Sequence, residues 1–260
     1  MTAMTPHEPL FSIITITYNA AATVKATMDS VGEQSFADYE HIIVDGASRD
    51  NTLDIVAASP RAQLRRVQSE PDNGLYDAMN KGIGLARGVY LIFLNAGDRF
   101  HSPTTLAEIA ETIRTNDFPG IVYGQTDLVD ANGRFIAPRH LTAPPNLTID
   151  DFKHGMMVCH QAFIPLRRIA PLYDTRWRYS ADYEWCIRCM MHSRNNVYTG
   201  STLIDYLSEG LTTAHRRASL KERFRIMSRY YGFWPTLWRH VGFFFRFRKH
   251  QKEMKRNVHI

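Results

Sequence analysis

The chain has 260 residues, 44% hydrophobic and 22% charged, with 31 Lys+Arg against 26 Asp+Glu. This is ordinary globular composition with enough chain to bury a sizeable core, which excludes a disordered or collagen-like protein. Three cysteines make no disulfide framework, the N-terminus lacks a leader pattern, and no apolar run reaches the ~18 residues of a membrane span, so the expected setting is cytoplasmic.

Residues 11–17 are β-branched and apolar, which predicts a buried strand, and Asn19 is placed to cap a helix over 20–34. A second strand over 41–44 ends at Asp45-Gly46, and Asp50 or Asn51 opens a helix running to 58. A strand over 64–68, a helix over 77–87 and a strongly apolar strand over 89–94 follow, then a helix over 104–115 and a strand over 121–123. The alternation predicts an α/β domain with a mainly parallel sheet and helices on both faces. Ligands bind such sheets beyond the carboxyl ends of the strands, and polar residues gather there at 15–19, 45–50 and 95–98. The second half is less regular. Residues 127–145 read as a hairpin and loop turning at Asn132-Gly133, 162–165 as a strand, and 166–172 and 183–192 as helices. From Ser219 onward the pattern is amphipathic helix, interrupted near 232–235.

Charge divides the chain unevenly. Residues 216–260 carry 13 Lys+Arg and 2 Asp+Glu, a net +11, whereas 1–215 is net −6. Trp234, Leu237, Trp238, Val241, Phe244 and Phe245 recur at helical spacing, with Arg239, His240, Arg246, Arg248 and Lys249 beside them. This reads as an interfacial helix making peripheral membrane contact through 216–256. Packing of the stripe on the body and a dimer interface are the competing readings. Nucleic acid is disfavoured, because no nucleic-acid module is recognisable.

Three segments carry a family likeness. Phe11-Ser-Ile-Ile-Thr-Ile-Thr-Tyr-Asn19, Ile43-Val-Asp-Gly-Ala-Ser-Arg-Asp-Asn-Thr52 and Leu94-Asn-Ala-Gly-Asp98, in this order and spacing, resemble the family 2 glycosyltransferases. The stretch from Glu70 to Gly82 is similar to a branch with bacterial exopolysaccharide enzymes, colanic-acid-type ones among them. The resemblance implies a GT-A fold over 1–215, with a nucleotide-sugar half (10–100), an acceptor half (101–215) and a helical extension over 216–260. It also implies inverting transfer, a nucleotide-sugar donor (a UDP-sugar), a saccharide or polyprenyl-linked acceptor, and a divalent cation, Mn²⁺ or Mg²⁺.

The expected donor residues are Thr17, Tyr18, Asn19, Asp45, Ser48, Asp77, Asn80, Asn95 and Ala96. Tyr18 can stack on a base or be an ordinary core tyrosine. Asp45 is the implied acceptor for a pyrimidine imide N–H, although Asp45 and Ser48 can equally shape a turn. Asp77 and Asn80 share a helix face, and Asp77 can also cap its own helix. Where many relatives have Asp-x-Asp, this chain has Asn95-Ala96-Gly97, which leaves Asp98 as the hard-oxygen ligand and His215 as a second metal candidate.

The expected base is Asp182, in Tyr179-Ser-Ala-Asp-Tyr-Glu-Trp185, which looks like the family's Glu-Asp-x-x-Leu-Trp segment with Ala181 in place of the Glu. Its carboxylate would take the proton as an acceptor hydroxyl attacks. An N-cap is the alternative. Glu184 is the second choice, on another helix face, and His160 and Gln161 are acceptor or sugar contacts. The departures at Gly97 and Ala181 leave a competing reading, an inactive nucleotide-sugar-binding scaffold. Cys186 and Cys189 read as buried free thiols.

Overall fold

A computed structural model describes residues 8–208 and 216–240. Its first layer is a four-stranded parallel sheet in the order β3-β2-β1-β4, formed by β1 (Phe11–Thr17), β2 (Tyr39–Asp45), β3 (Arg65–Ser69) and β4 (Tyr90–Phe93). Every residue of β1, β2 and β4 is buried, which is why they read as continuous apolar runs rather than alternating ones. The polar residues in β1 and β2 answer one another across the pair. Ser12 donates to Glu40 at 2.6 Å, Thr15 meets His41 at 3.0 Å, and Thr17 donates to Asp45 at 2.8 Å. Such pairing removes the cost of burying each group alone.

Helices α1 (Val24–Gly32), α2 (Thr52–Ala58) and α3 (Leu75–Leu85) connect these strands. The first starts later than its sequence pattern suggests. Asn19 does not cap it: the residue turns to φ 47°, and its Oδ1 accepts from the Arg49 N–H at 2.9 Å. Asp50 does open α2, accepting from Thr52 N–H at 3.1 Å and Thr52 Oγ1 at 2.5 Å. It also accepts from Ala21 N–H at 3.0 Å, which stitches the loops after β1 and β2 together.

A second, mixed sheet has the order β5-β9-β6-β7, made of β5 (Arg99–Phe100), β6 (Ile121–Val129), β7 (Phe135–Pro138) and β9 (Asn196–Leu207), with β8 (Phe163–Pro165) also paired to β6. Its longest strand, β9, has no counterpart among the expected elements. Helix α4 (Thr105–Thr115) precedes β6, and α5 (Ala181–His192) precedes β9. Residues 166–172 are not the expected helix. Only a 3-10 turn over Arg167–Ile169 forms, because Pro171 lacks an N–H and pushes Ala170 out of helical geometry.

Helix α6 (Arg216–Tyr231) belongs to the packed body: Ile226 and Met227, in its second half, are fully buried. The chain breaks at Gly232 and is helical again over 233–240, where Trp234 and Trp238 stand exposed. Of the expected aromatic stripe, Val241, Phe244 and Phe245 lie outside the described residues. No helix among the described residues is long and apolar enough to cross a membrane.

Candidate active site

The loops after β1 and β2 close on each other. Asp45, fully buried, accepts from Thr17 Oγ1 at 2.8 Å, Ser48 N–H at 2.9 Å, Ser48 Oγ at 2.5 Å and Ser69 Oγ at 2.7 Å. Burial alone would raise its pKa, but the donors, led by Ser48, outweigh burial and hold the carboxyl below its ordinary value. These four bonds fill the lone pairs of one carboxylate. In this structure Asp45 shapes the loop, with its oxygens committed to protein donors. Thr17 and Ser48 act through it, and Ser48 Oγ also accepts from Asn19 N–H at 2.8 Å.

Tyr18 is 66% exposed, which disposes of the core-tyrosine reading and leaves its ring face free. Asp72 lies beside it: a Cβ on Gly46 would meet Asp72 Oδ2 at 2.5 Å and the Tyr18 ring at 3.2 Å. Only a glycine lets the two approach this backbone. Asp72 accepts from Gly74 N–H at 2.8 Å through its other oxygen.

On α3 the two expected donor contacts face structural partners. Asp77 accepts from Asn73 N–H at 3.0 Å, the capping alternative. Asn80 donates to Tyr173 O at 3.0 Å and accepts from Tyr173 N–H at 2.7 Å, so both ends of its amide are committed. Here Asn80 is a strut holding residue 173.

The third loop, after β4, is different in kind. Asp98 is 4% exposed and, among the described residues, accepts from Gln161 Nε2 at 2.8 Å and Leu207 N–H at 3.1 Å. Burial pushes its carboxyl up to about 7, against the opposing effect of those two donors. Among the described residues Asn95 Oδ1 is buried without a partner, while its Nδ2 lies 3.5 Å from His160 Nε2. Two hard oxygens, one an unneutralised carboxylate and one an orphaned amide oxygen, suit Mg²⁺ or Mn²⁺. No second carboxylate fits at position 97: Gly97 has φ 107°, and a Cβ there would meet Leu207 Cδ2 at 2.7 Å. Ala96 packs with the small cluster around Val24 and Met28. Gln161 is buried, bridging Asp98 and Cys159, so it positions Asp98. His215 lies outside the described residues.

Asp182 stands in the first turn of α5, not at its cap, which Ser180 occupies. Its Oδ1 accepts from Tyr76 Oη at 3.1 Å, and its Oδ2 lies 3.7 Å from His160 Nδ1. Burial and the Arg139 charge hold His160 below its ordinary pKa, with Asp182 opposing them. Behind Tyr76 stands an aromatic column. Tyr173 stacks on it at 5.5 Å and on Trp185 at 4.8 Å, and Trp185 Nε1 donates to Pro171 O at 2.7 Å. The side chain of Asp182 is 21% exposed, so it is oriented yet reachable. Glu184 faces the other way. It is buried, accepting from Tyr230 Oη at 2.6 Å and lying 3.3 Å from Arg188 Nη1, so both its oxygens have protein partners.

Three features had no sequence signal: Tyr76 and Tyr173, which reach Asp182 across 106 residues and through stacking, and Tyr206, whose hydroxyl is raised by burial and by the Asp98 charge. A separate group, His101, Asp127 and Asp205, holds three ligand-type atoms within 4.8 Å of one another at the β5–β9–β6 junction. It includes none of the expected metal residues. The cysteines are free and buried, as expected.

The comparisons with known proteins agree with this geometry. Residues 12–170 match the Glycosyl transferase family 2 model. A PGL/p-HBAD biosynthesis glycosyltransferase of Mycobacterium tuberculosis is 36% identical over 187 residues, 70% of each chain. The Escherichia coli enzyme WfgD, named a UDP-Glc:alpha-D-GlcNAc-diphosphoundecaprenol beta-1,3-glucosyltransferase, is 29% identical over 136 residues, 51% of this chain and 53% of that one. Among solved structures, Staphylococcus aureus TarS 1–349 with UDP superposes with a TM-score of 0.66 at 17% identity, covering 84% of this chain and 64% of that one. A Pyrobaculum calidifontis mannosyltransferase with GDP-Man and Mn²⁺ gives 0.61 at 19% identity, covering 86% and 65%. The two structural likenesses establish the α/β GT-A-type fold, and each neighbour extends well beyond the match. With its three strand-end loops converging and its family model spanning most of both sheets, the chain belongs to glycosyltransferase family 2.

Proposed function

We propose that the protein transfers a sugar, with inversion, from a nucleotide-sugar donor to a hydroxyl of a saccharide or lipid-linked saccharide. The observation that carries this reading is the Asp182 carboxylate, partly exposed and oriented by Tyr76, beside the Asn95–His160 pair that leads to Asp98. Asp182 takes the proton from the attacking hydroxyl as the new glycosidic bond forms. Inversion needs a single such base opposite the leaving group. His160, held toward its neutral form by burial, keeps the ring next to Asp182 from locking it in a full ion pair. Tyr18 offers a ring face to the base of the nucleotide, with Asp72 beside it as a free carboxylate oxygen. Asp98 and Asn95 would hold a divalent cation, which supplies positive charge against the departing nucleoside diphosphate.

The finer reading is a UDP-sugar donor and a polysaccharide or glycolipid precursor as acceptor, at the inner face of the cell membrane. The names of the mycobacterial and Escherichia coli relatives support glycoconjugate assembly, and the 70–82 stretch supports the exopolysaccharide branch. The test is a transfer assay across UDP-, GDP- and dTDP-sugars with mixed glycolipid acceptors, run on the wild type and on Asp182→Asn. The reading requires turnover by the wild type and donor binding without turnover by the variant. Full turnover by Asp182→Asn would remove Asp182 from the reaction.

A further inference from the structure

Helix α6 has two unlike faces. Its inner face reaches the base-bearing helix at three points. Glu222 accepts from the backbone N–H groups of Arg178 at 2.9 Å and Tyr179 at 2.8 Å, in the segment that leads into α5. Ser219 Oγ lies 3.1 Å from Ser180 Oγ at the α5 cap position, and Tyr230 Oη donates to Glu184 at 2.6 Å. These contacts bracket Asp182 on both sides in sequence. Ile226 and Met227 fill the space between them, fully buried.

The outer face is a ridge of cations. Arg217, Lys221, Arg225 and Arg229 follow one another at four-residue spacing, and all four are exposed. Residues four apart lie one above another on a helix, so these charges form a single line. Among the described residues, none of the four is ion-paired with a carboxylate. A cost-free structural role does not account for four unpaired like charges in a row, which repel one another. Just beyond the break at Gly232, Trp234 and Trp238 are 68% and 72% exposed and share one side of the next helical segment. Exposed indole rings in line with a cationic ridge match the chemistry of an anionic lipid surface, with phosphate groups for the cations and the headgroup layer for the rings.

We infer that α6 is a docking strut: its outer ridge lies on an anionic lipid surface while its inner face fixes α5, so one rigid element carries both lipid contact and the placement of Asp182. The inference rests on the glycosyltransferase reading for what Asp182 does, but not for the docking itself. It gives the enzyme a means of meeting a lipid-borne acceptor with its base already aligned. Glu222 and Ser219 are then positioning residues, acting through α5 and touching no substrate.

The experiment uses the full chain and two sets of vesicles, phosphatidylglycerol mixed with phosphatidylcholine, and phosphatidylcholine alone. The wild type is expected to bind the anionic set and to release as salt is raised. The triple variant Arg217→Glu, Lys221→Glu, Arg225→Glu is expected to bind about 100-fold more weakly, from the contribution of each surface cation. Its transfer to a water-soluble acceptor should match the wild type. Trp234→Ala with Trp238→Ala should weaken binding to both vesicle sets. On the inner face, Glu222→Ala should lower kcat about tenfold with donor Kd and vesicle binding unchanged. It should have no further effect in the Asp182→Asn background, since coupled residues are not additive. Equal vesicle binding by wild type and triple variant overturns the docking, as does capture by a polynucleotide with none by vesicles. A wild-type kcat in Glu222→Ala overturns the strut. A wild type that binds anionic vesicles but transfers no sugar would count against the proposed function and leave the docking standing.

Discussion

The loops after β1 and β2 and the loop after β4 sit at the same end of one sheet, yet they are built oppositely. The buried Asp45 carboxylate is fully matched by the protein: four donors satisfy it, and its pKa is pulled down. Around Asp98 the protein leaves needs unmet: two donors, a pKa pushed up to about 7, and an orphaned oxygen on Asn95. A self-satisfied loop is a scaffold, whereas a buried carboxylate short of partners is where a ligand's charge belongs. Asp182, the proposed base, borders the second region through His160. The proposed chemistry thus falls in the region where the described residues leave polar groups unmet.

The largest expected effect lies on that side. Asp182→Asn should cut kcat about a thousandfold with the fold and donor binding preserved, as measured by steady-state kinetics beside calorimetry. Tyr76→Phe should give a smaller loss of kcat with unchanged donor binding, because it orients the base without touching the proton in flight.

The two regions should also pull stability in opposite directions with pH. The Asp98 carboxyl ordinarily titrates near 3.8 and is raised to about 7 in the fold. The folded state then binds more protons between those values, so in metal-free protein this group lowers stability as pH rises from about 4 to 7. The swing is on the order of 4 kcal/mol. His41, fully buried behind Asp45 on β2, goes the other way. Burial lowers it from 6.5 to about 3, so its contribution is whole above 6.5 and is lost as pH falls toward 3. Asp45 adds to the acid-side loss, since its depressed carboxyl favours the fold above 3.8 and loses that advantage below. Denaturant titrations from pH 4 to 8 in EDTA should show the Asp98 slope vanish in Asp98→Asn while the acid-side loss persists. A pH dependence between about 4 and 7 that is unchanged in that variant would erase the contrast between the regions.

Smaller effects come from the scaffold side. Asp45→Ala leaves the Thr17, Ser48 and Ser69 donors without an acceptor and should cost about 3 kcal/mol of stability in chemical denaturation. Tyr18→Ala should leave stability alone and weaken nucleotide binding about tenfold, the worth of one aromatic stacking contact.

Much of the scaffold region was legible in the sequence, because local signals made it. Strands β1, β2 and β4 are buried on both faces and show as apolar runs, and Asp50 opens its helix within two residues of itself. Strand β9 left no such trace. It is half-exposed along most of its length, carries polar residues and is broken by Gly200, so neither alternation nor an apolar run marks it. Long-range partners were beyond reach for the same reason. Asn80 looks like a ligand contact on its helix, and only the fold brings Tyr173 onto both ends of its amide. Glu184 shares a motif with Asp182, but its face is settled by Tyr230, 46 residues away. The placement of Asp98 and Asp182 as the charged groups of interest came from family likeness, and the structure adds the physical reason in their unmet or oriented carboxylates.

The central claim is that the β4-end corner is completed by a nucleotide and a cation. Calorimetric titration of UDP, with and without Mn²⁺, into wild type and Asp98→Asn tests it most directly. Mn²⁺ should tighten UDP binding to the wild type and do nothing for the variant. Binding of UDP that is absent under both conditions, or equally Mn²⁺-enhanced in Asp98→Asn, would contradict it.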